Sequence, residues 1–438
     1  MTALAGPLIA RAAKPLVGRA KAPGDKSISH RALIFGALAN GVTKITGLLE
    51  GDDVLRTAAA MRAFGADVER DGAQWLVTGK PWRGPPQSIY LGNSGTGARL
   101  IIGAAAGAGV AASFDGDSSL RRRPMGRVLE PLRLMGLTAG SSEERLPLSI
   151  EGTALKSISV RLSKPSAQVK SAILLAALGA DGVTEIHEPQ RSRDHTERLF
   201  GLFGIDLAFE GDGAAGRFIR VKGPQYMRAA KVNVPGDPSS AAFLIATALI
   251  TPGSDIIVEG VMLNPLRAGF YAVLKDMGAD IQFENQREEA GETVADIRAR
   301  HSTLHGVDVP ASWAPTLIDE YPILSVVAAF AQGETRMSGL EELRVKESDR
   351  IASMEAGLSA CGVSVSSGDD WMAVRGREKA PGGAKIRTDH DHRIAMSFLT
   401  LGCASAKPVE IDDASMIATS FPEYLDTMHG LGADIQPR

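Results

Sequence analysis

LKDMGADIQF at residues 274–283 is one copy of a pattern that occurs six times in the 438-residue chain, in units of about 73 residues. In each copy, apolar residues at helical spacing precede a glycine, and a β-rich run follows it. Glycine at this point is typical of the left-handed residue that ends a helix. The pattern predicts six units that mix helices with strands. The other copies are MRAFGADVE around Gly65, LRLMGLTA around Gly136, LFGLFGIDLAF around Gly204, LSACGVSVS around Gly362 and MHGLGADIQ around Gly432.

A second repeated segment groups the six units into two sets of three. Ala22-Pro23-Gly24-Asp25 with Ser27 recurs 212 residues later as Val234-Pro235-Gly236-Asp237 with Ser239. Proline and glycine mark turns, and the units are too long for a solenoid of small repeats. We therefore predict an α/β protein with two lobes. Residues 23–234 form the first lobe, residues 1–22 plus 235–438 form the second, and crossover strands near 22 and 235 join them at a cleft, the default ligand site.

Charge and cysteine content limit the classes of function. A net charge of −3 gives no overall basic field for nucleic acid. Cys361 and Cys403 are too few for a disulfide framework and lack metal-ligand spacing. The apolar N-terminal run is interrupted by Pro7 and Arg11, which predicts neither a membrane span nor a secretory signal. We expect a cytoplasmic monomer that binds small molecules, without nucleic acid, membrane or metal.

Basic residues recur where strands are predicted to pass into helices. The segment DKSISHRALIFGAL carries Lys26 and Arg31 at a helix start, where Ser27 or Ser29 is expected to cap the helix and an anion is favoured. The glycine-rich LGNSGTGARL (91–100) offers open backbone N–H groups. Neither segment has the glycine spacing of a nucleotide-binding loop.

Single basic side chains are usually solvated surface charge, but placement at equivalent junctions predicts convergence on one site. Such a site suits a substrate with several phosphates or carboxylates. The further basic positions are Arg121, Arg122, Arg123, Lys164, Lys170, Arg191, Arg193, Arg344, Lys346, Arg350 and Arg393.

Two acidic positions stand among these cations. Asp319-Glu320 leads into the apolar helix YPILSVVAAFA, so one of the two could simply be a helix-start acid. Glu347 lies between Lys346 and Arg350. Carboxylates in such surroundings can transfer protons. His390 and His392 alternate with aspartates in a way that resembles a turn rather than a metal site.

From about Leu16 to Ile435 the chain resembles the family of 5-enolpyruvylshikimate-3-phosphate synthases, and in detail the bacterial subgroup with glyphosate-tolerant members. The resemblance implies the enolpyruvyl transferase fold, an inside-out α/β barrel of two lobes with three βαβαββ units each. The matching motifs are PGDKSISHR (23–31), LGNSGTGAR (91–99), RRPMG (122–126), PSAQVKSA (165–172), RDHTE (193–197), IDEYP (318–322), LRVKESDR (343–350), DHRIAMS (391–397) and TSFPEY (419–424).

The resemblance also implies a reaction and its residues. The enolpyruvyl group of phosphoenolpyruvate would pass to the 5-hydroxyl of shikimate 3-phosphate, a step of chorismate and aromatic amino acid biosynthesis, with no cofactor. Asp319 and Glu347 would transfer protons, and the lobes would close around the substrates. Shikimate 3-phosphate would be bound by Lys26, Ser27, Arg31, Ser166, Gln168, Arg193, Asp319 and Lys346. Phosphoenolpyruvate would be bound by Lys26, Asn93, Gly95, Thr96, Arg123, Gln168, Arg350 and Arg393.

Three positions depart from the family pattern. Ala167 stands where many relatives have a second serine, Thr419 where others have a lysine, and Gly95 where tolerant members have alanine. Glyphosate competes with phosphoenolpyruvate in this family beside the loop that carries Gly95. Because this chain keeps glycine there, we expect glyphosate to inhibit it.

Two alternative functions remain open from the sequence. The related enolpyruvyl transferase that acts on UDP-N-acetylglucosamine typically uses a cysteine in a first-lobe loop, and this chain has no cysteine before Cys361. A non-catalytic polyanion-binding protein would keep the basic residues but would not need Asp319 together with Glu347.

Overall fold

The computed structural model describes residues 6–141, 143–211 and 216–438. The helices in these ranges are α1 (Lys26–Leu38), α2 (Asp52–Ala63), α3 (Gly95–Gly107), α4 (Ser118–Arg122), α5 (Gly126–Leu134), α6 (Ala167–Ala177), α7 (His195–Leu202), α8 (Pro238–Ile250), α9 (Gly269–Asp276), α10 (Ala314–Leu317), α11 (Tyr321–Ala329), α12 (Arg350–Ala360), α13 (His392–Ala404) and α14 (Tyr424–Leu431), with short 3-10 helices at Ala311–Trp313, Glu341–Val345 and Ser415–Thr419.

The strands in the same ranges are short and are distributed along the whole chain. They are β1 (Leu8–Arg11), β2 (Val17–Lys21), β3 (Val42–Thr46), β4 (Asp67–Asp71), β5 (Gln74–Thr78), β6 (Ile89–Tyr90), β7 (Ala112–Asp115), β8 (Ala139–Ser141), β9 (Leu148–Ile150), β10 (Ser159–Arg161), β11 (Gly182–Glu188), β12 (Ala208–Glu210), β13 (Arg217–Gly223), β14 (Lys231–Asn233), β15 (Asp255–Met262), β16 (Asp280–Glu289), β17 (Glu292–Arg300), β18 (Asp308–Val309), β19 (Gln332–Ser338), β20 (Ser364–Ser367), β21 (Trp371–Arg377), β22 (Lys385–Ile386), β23 (Val409–Ile411) and β24 (Asp434–Pro437).

The six repeated glycines end helices in the predicted way. All six have a positive φ, between 74° and 106°. In every copy the residue after the glycine donates its N–H to the carbonyl oxygen five positions earlier, as Ala66 does to Met61 at 3.1 Å. This bond satisfies a carbonyl that the helix end would otherwise leave unpaired. The predicted helix ends are therefore confirmed.

Each repeat unit contains one four-stranded sheet, and the six sheets share one topology. In each sheet the first two strands are parallel, and the second and third are antiparallel. A parallel pair requires a crossover connection, and helices supply it between β6 and β7, β10 and β11, β18 and β19, and β22 and β23. The strand orders are β14-β3-β5-β4, β6-β7-β9-β8, β10-β11-β13-β12, β2-β15-β17-β16, β18-β19-β21-β20 and β22-β23-β1-β24.

Three strands lie in sheets that chain order alone would not assign to them. The strand before α1, β2, pairs with β15, whereas the strand before α8, β14, pairs with β3. The two strands have thus exchanged places between equivalent sheets. The N-terminal strand β1 completes the last sheet between β23 and β24.

The chain divides into two compact units. The first unit contains Gly24–Val234 and Glu289–Gly291, and the second contains Met1–Pro23, Pro235–Glu288 and Glu292–Arg438. Three of the six sheets lie in each unit. This arrangement confirms the predicted α/β class with three repeat units in each half.

Each unit has three largely buried helices in its interior. They are α1, α3 and α6 in the first unit and α8, α11 and α13 in the second. Their backbones approach closely, because a Cβ atom added at Gly103 of α3 would lie 2.4 Å from the carbonyl oxygen of Ala172 in α6. Five of these helices begin at or directly after a segment with predicted site residues. Helix packing therefore fixes where those residues lie.

The cap of α1 differs from the expectation. The carboxylate of Asp25 accepts a hydrogen bond from the backbone N–H of Ile28 at 2.7 Å. Ser27 lies inside the first turn, and the hydroxyl of Ser29 accepts from the N–H of Leu49. The prediction of a serine cap was wrong because Asp25 holds the cap position and its carboxylate reaches the third helical N–H.

Within the described ranges, no helix combines the length and the apolar character needed to cross a membrane.

Candidate active site

The second unit gathers predicted site residues around one buried guanidinium, that of Arg350 in the first turn of α12. Arg350 donates through Nη2 to Glu347 Oε2 at 2.7 Å, and its Nη1 lies 3.5 Å from Asp319 Oδ1. Lys346 Nζ lies 3.3 Å from the same Asp319 oxygen. The two predicted proton-transfer carboxylates are therefore held by adjacent cations.

Asp391 is an important residue of this cluster to which the sequence analysis assigned no role. Its buried carboxylate accepts from Arg350 Nε at 2.8 Å and from Ser348 Oγ at 3.0 Å. It also caps α13 by accepting from the backbone N–H of Arg393 at 2.9 Å, and Arg393 donates through Nη1 to the carbonyl oxygen of Asp319 at 2.9 Å. Asp391 thus fixes the guanidinium of Arg350 and the backbone of Arg393, two of the three arginines predicted to bind phosphoenolpyruvate. The Arg350 cluster below means Asp319, Lys346, Glu347, Arg350, Asp391 and Arg393.

Opposite charges keep Arg350 and Asp391 ionised although both are buried. Burial alone would lower the pKa of Arg350, but Asp391, Glu347 and Asp319 outweigh it, and the pKa is raised above its ordinary value. Burial would raise the pKa of Asp391, but Arg350 more than compensates and the pKa is lowered. The guanidinium and the Asp391 carboxylate both stay charged at neutral pH. The cluster is a fixed arrangement of ions suited to anion binding.

The first unit brings together five predicted residues at the start of α3. Arg123 donates through Nη1 to the carbonyl oxygen of Asn93 at 3.4 Å. A Cβ atom added at Gly95 would lie 2.8 Å from Cζ of Arg123. Gln168 donates through Nε2 to Thr96 Oγ1 at 2.9 Å. These residues, all predicted to contact phosphoenolpyruvate, form one contiguous group.

Arg99 holds this group together, although no role was predicted for it. The side chain is buried and donates through Nη1 to Gln168 Oε1 at 2.9 Å and to the carbonyl oxygen of Gly95 at 3.2 Å. Its Nη2 donates to the carbonyl oxygen of Pro124 at 2.9 Å. The only signal in the sequence was its place in the LGNSGTGAR motif. The Gly95 cluster below means Asn93, Gly95, Thr96, Arg99, Arg123 and Gln168.

Arg31 is more deeply buried than a substrate contact would suggest, with 2% of its surface exposed. It donates to the carbonyl oxygen of Ser27 at 2.9 Å, to Ser171 Oγ at 2.8 Å and to Thr196 Oγ1 at 2.7 Å. These bonds join α1 to α6 and α7. Direct contact between Arg31 and shikimate 3-phosphate stays a prediction.

Lys26, Ser166 and Arg193 occupy separate positions in the first unit. Lys26 Nζ forms an ion pair with the carboxylate of Asp53. Ser166 caps α6 by accepting from the backbone N–H of Val169 at 3.4 Å. Arg193 is half-buried in the segment between β11 and α7.

A neutral histidine supports the start of α1. His30 is buried, and its Nδ1 lies 2.8 Å from Thr57 Oγ1. Burial, and then the positive charges of Lys26 and Arg31, hold the pKa of His30 well below its ordinary value. The imidazole therefore stays uncharged at neutral pH.

Among the described residues, no group of three or more histidine, cysteine, aspartate or glutamate side chains could hold a metal ion. His390 is largely exposed, and its Nδ1 lies 3.7 Å from Asp413 Oδ2.

Comparison with known proteins gives a consistent result. The sequence profile of the EPSP synthase (3-phosphoshikimate 1-carboxyvinyltransferase) family matches residues 10–428. A 3-phosphoshikimate 1-carboxyvinyltransferase from Phenylobacterium zucineum is 57% identical over 98% of this chain and 95% of its own length. One from Cereibacter sphaeroides is 56% identical over 98% of both chains. A solved EPSP synthase structure from Acinetobacter baumannii is 40% identical, with a TM-score of 0.87 over 98% of this chain and 99% of its own.

Proposed function

Since the chain belongs to the EPSP synthase family, we infer that it transfers the enolpyruvyl group of phosphoenolpyruvate to the 5-hydroxyl of shikimate 3-phosphate and releases phosphate. It is a transferase of the shikimate pathway, in the route to chorismate and the aromatic amino acids. The enolpyruvyl transferase fold implied by the sequence agrees with the 0.87 TM-score to a solved family member.

We propose that the Gly95 and Arg350 clusters both hold phosphoenolpyruvate. Arg123, Arg350 and Arg393 neutralise its phosphate and carboxylate, since arginine pairs bidentately with both groups. Asn93, Gly95, Thr96, Gln168 and Lys26 complete this set. Shikimate 3-phosphate is held by Lys26, Ser27, Arg31, Ser166, Gln168, Arg193, Asp319 and Lys346.

The chemistry we propose is addition followed by elimination. The carboxylate of Asp319 takes the proton of the 5-hydroxyl as its oxygen attacks C2 of phosphoenolpyruvate. The carboxyl group of Glu347 gives a proton to C3, which becomes a methyl group. In the second step a C3 proton is removed, the C2–O bond to phosphate breaks and the enol ether remains. Held substrates and fixed cations supply much of the rate enhancement.

The observation that carries this mechanism is the position of the two carboxylates on one guanidinium. Asp319 Oδ1 lies 3.5 Å from Nη1 of Arg350, and Glu347 Oε2 lies 2.7 Å from its Nη2. Binding of an anionic substrate at Arg350 brings negative charge close to Glu347. This charge favours the protonated carboxyl group that the addition step requires. The same guanidinium thus connects substrate binding with proton transfer.

A phosphate-release assay tests the function. We expect inorganic phosphate only when phosphoenolpyruvate and shikimate 3-phosphate are both present. Phosphate release with UDP-N-acetylglucosamine in place of shikimate 3-phosphate would instead indicate the related enolpyruvyl transferase. Binding of both substrates without any phosphate release would instead indicate a non-catalytic anion-binding protein.

We further propose that the enzyme is a cytoplasmic monomer inhibited by glyphosate. Cys361 and Cys403 are unpaired and buried, as suits a reducing compartment. Light scattering after gel filtration tests the monomer, and competition against phosphoenolpyruvate tests the inhibitor.

A further inference from the structure

A buried ammonium group with two carboxylates lies beside the proposed shikimate 3-phosphate residues. Lys170 of α6 has no exposed surface, and its Nζ lies 2.9 Å from Glu188 Oε2 and 2.8 Å from Glu197 Oε1. Glu188 ends β11 and Glu197 lies in the first turn of α7. Removing three charged groups from water is costly unless their geometry is held closely. A buried arrangement of this kind calls for a function beyond packing.

The network also holds one residue of the segment between β11 and α7. Glu188 Oε1 accepts from the backbone N–H of Ser192 at 3.2 Å and from Ser192 Oγ at 2.5 Å. Lys170 Nζ lies 3.3 Å from the carbonyl oxygen of Ser192. The N–H, carbonyl and hydroxyl of Ser192 are all bound by this one ion pair. Hydrogen bonds to charged groups are stronger and shorter than neutral ones.

The segment held in this way carries Arg193, the residue next to Ser192. It has no regular secondary structure between Pro189 and Asp194. Lys170 lies in the first turn of α6, the helix that Ser166 caps and that carries Gln168 in the same turn. The ion pair therefore joins two segments that each carry proposed ligands of shikimate 3-phosphate.

We propose that Lys170 and Glu188 form a clamp that positions Arg193 for shikimate 3-phosphate. This inference rests on the proposed function, in which Arg193 binds that substrate. Neither clamp residue needs to touch the substrate, so both are positioning residues. The clamp fixes the backbone next to Arg193 relative to α6, and the guanidinium then meets the substrate without a further ordering cost.

The chain offers a matched pair of variants for the test. Glu188→Gln and Glu197→Gln each remove one buried carboxylate from Lys170, but only Glu188 also binds Ser192. An amide has one acceptor oxygen, whereas Glu188 accepts from Lys170 and Ser192 through two. In either orientation of the glutamine amide, its NH₂ group faces a donor, either the ammonium of Lys170 or the N–H and hydroxyl of Ser192. Burial raises the pKa of Glu197, so its replacement by a neutral amide is the milder change.

The measurements are the dissociation constant of shikimate 3-phosphate by titration calorimetry and the kcat and KM for phosphoenolpyruvate by phosphate release. We expect Glu188→Gln to weaken shikimate 3-phosphate binding by about tenfold. The kcat and KM for phosphoenolpyruvate should change by less than about threefold. Because Ser192 binds Glu188 rather than Glu197, Glu197→Gln should leave all three constants within about twofold. If both variants weaken shikimate 3-phosphate binding equally, the clamp proposal is wrong, because the loss of a buried charge would then account for both effects.

A double-mutant cycle with Arg193→Ala separates positioning from general damage. If Glu188 acts through Arg193, Glu188→Gln has no further effect on shikimate 3-phosphate binding once Arg193 is alanine. Additive effects would contradict the proposal, as would unchanged binding in Arg193→Ala alone. If Glu188→Gln does not fold, Ser192→Ala, which removes only the hydroxyl bond to Glu188, replaces it in the cycle. If the wild type binds shikimate 3-phosphate but shows no turnover, the proposed function is wrong, whereas the clamp proposal is unaffected.

Discussion

Replacing Gly95 with alanine perturbs the Gly95 cluster at a point where the structure gives the size of the effect. The added Cβ would lie 2.8 Å from Cζ and Nη1 of Arg123 and 2.9 Å from Nη2. Because non-bonded heavy atoms of this kind are normally about 3.5–4.0 Å apart, the guanidinium has to move by roughly 1 Å. Arg123 can yield because the contacted atoms are at the far end of a flexible side chain. We therefore expect the variant to fold and to retain activity.

The methyl group should weaken glyphosate more than phosphoenolpyruvate. Excess volume in a packed site costs about 1–3 kcal/mol, which corresponds to roughly tenfold to hundredfold in the inhibition constant. Glyphosate is longer than phosphoenolpyruvate, so we expect its binding to be weakened by this full amount. Phosphoenolpyruvate would meet only the displaced side chain of Arg123. Its KM should rise by less than about tenfold. Thr419, whose hydroxyl donates to the carbonyl oxygen of Met416, is the same in wild type and variant, so it affects the inhibition constants of both alike.

Steady-state inhibition against varied phosphoenolpyruvate, in wild type and Gly95→Ala, checks this reasoning. Gly97→Ala is a matched control at the start of the same helix. Its Cβ would meet the hydroxyls of Ser94 and Thr57 at 2.7 Å and 2.9 Å rather than Arg123. We expect the control to lower stability without raising the ratio of inhibition constant to KM. An unchanged ratio in Gly95→Ala would show that this position does not control access to the site.

Three further predictions concern proton transfer, pH dependence and conformational change. Asp319→Ala and Glu347→Ala should each lower kcat by at least about a hundredfold with the circular dichroism spectrum preserved, and a variant that keeps more than about a tenth of wild-type turnover has no role in the mechanism. The pKa of His30 is lowered on folding. Below about pH 6.5 the unfolded chain therefore takes up a proton that the folded chain does not. The free energy of unfolding should decrease as the pH is lowered through this range, by up to about 1.4 kcal/mol per pH unit. Urea unfolding between pH 7 and pH 5 should show a weaker dependence in His30→Gln, and parallel curves for the two proteins would contradict this. Shikimate 3-phosphate alone should reduce the radius of gyration in small-angle scattering, since its proposed ligands come from both units, and an unchanged radius at saturation would count against closure by this substrate.

The sequence predicted the repeated elements well because their signals are local. A glycine after an apolar helix is needed wherever the backbone turns left-handed, so the six helix ends could be read directly. Crossover strands near 22 and 235 were predicted, but the pairing of β2 with β15 and of β14 with β3 was not, because each strand is short and its partner lies far away in the chain. Likewise, Asp25 or Ser27 caps α1 according to whether the helix begins two positions earlier or later, and the sequence does not fix its first residue that closely.

The site shows the same division between local and distant information. Motif matches pointed to Arg123, Arg350 and Arg393, and the structure places each of them in a cluster with other predicted residues. Asp391, which binds the guanidinium of Arg350 and the backbone of Arg393, was not predicted. Asp391 lies 41 residues from Arg350 in sequence, and no periodicity connects such a pair. The residues proposed to bind substrate lie in the same motifs as Arg99 and Asp391, which position them, so only the contacts distinguish the two roles.

These contacts also bear on how a cationic site discriminates between anions. Lys26, Lys346, Arg350 and Arg393 each lie within ion-pair distance of a carboxylate of the protein. A substrate anion must therefore share or displace those carboxylates, and a single phosphate gains little by doing so. Phosphoenolpyruvate brings a carboxylate and a phosphate in fixed relative positions, so it can satisfy several cations at once. If these cations bind substrate as proposed, selectivity follows from competition with internal carboxylates rather than from positive charge alone, and a chain of net charge −3 needs no overall basic field to select a polyanion.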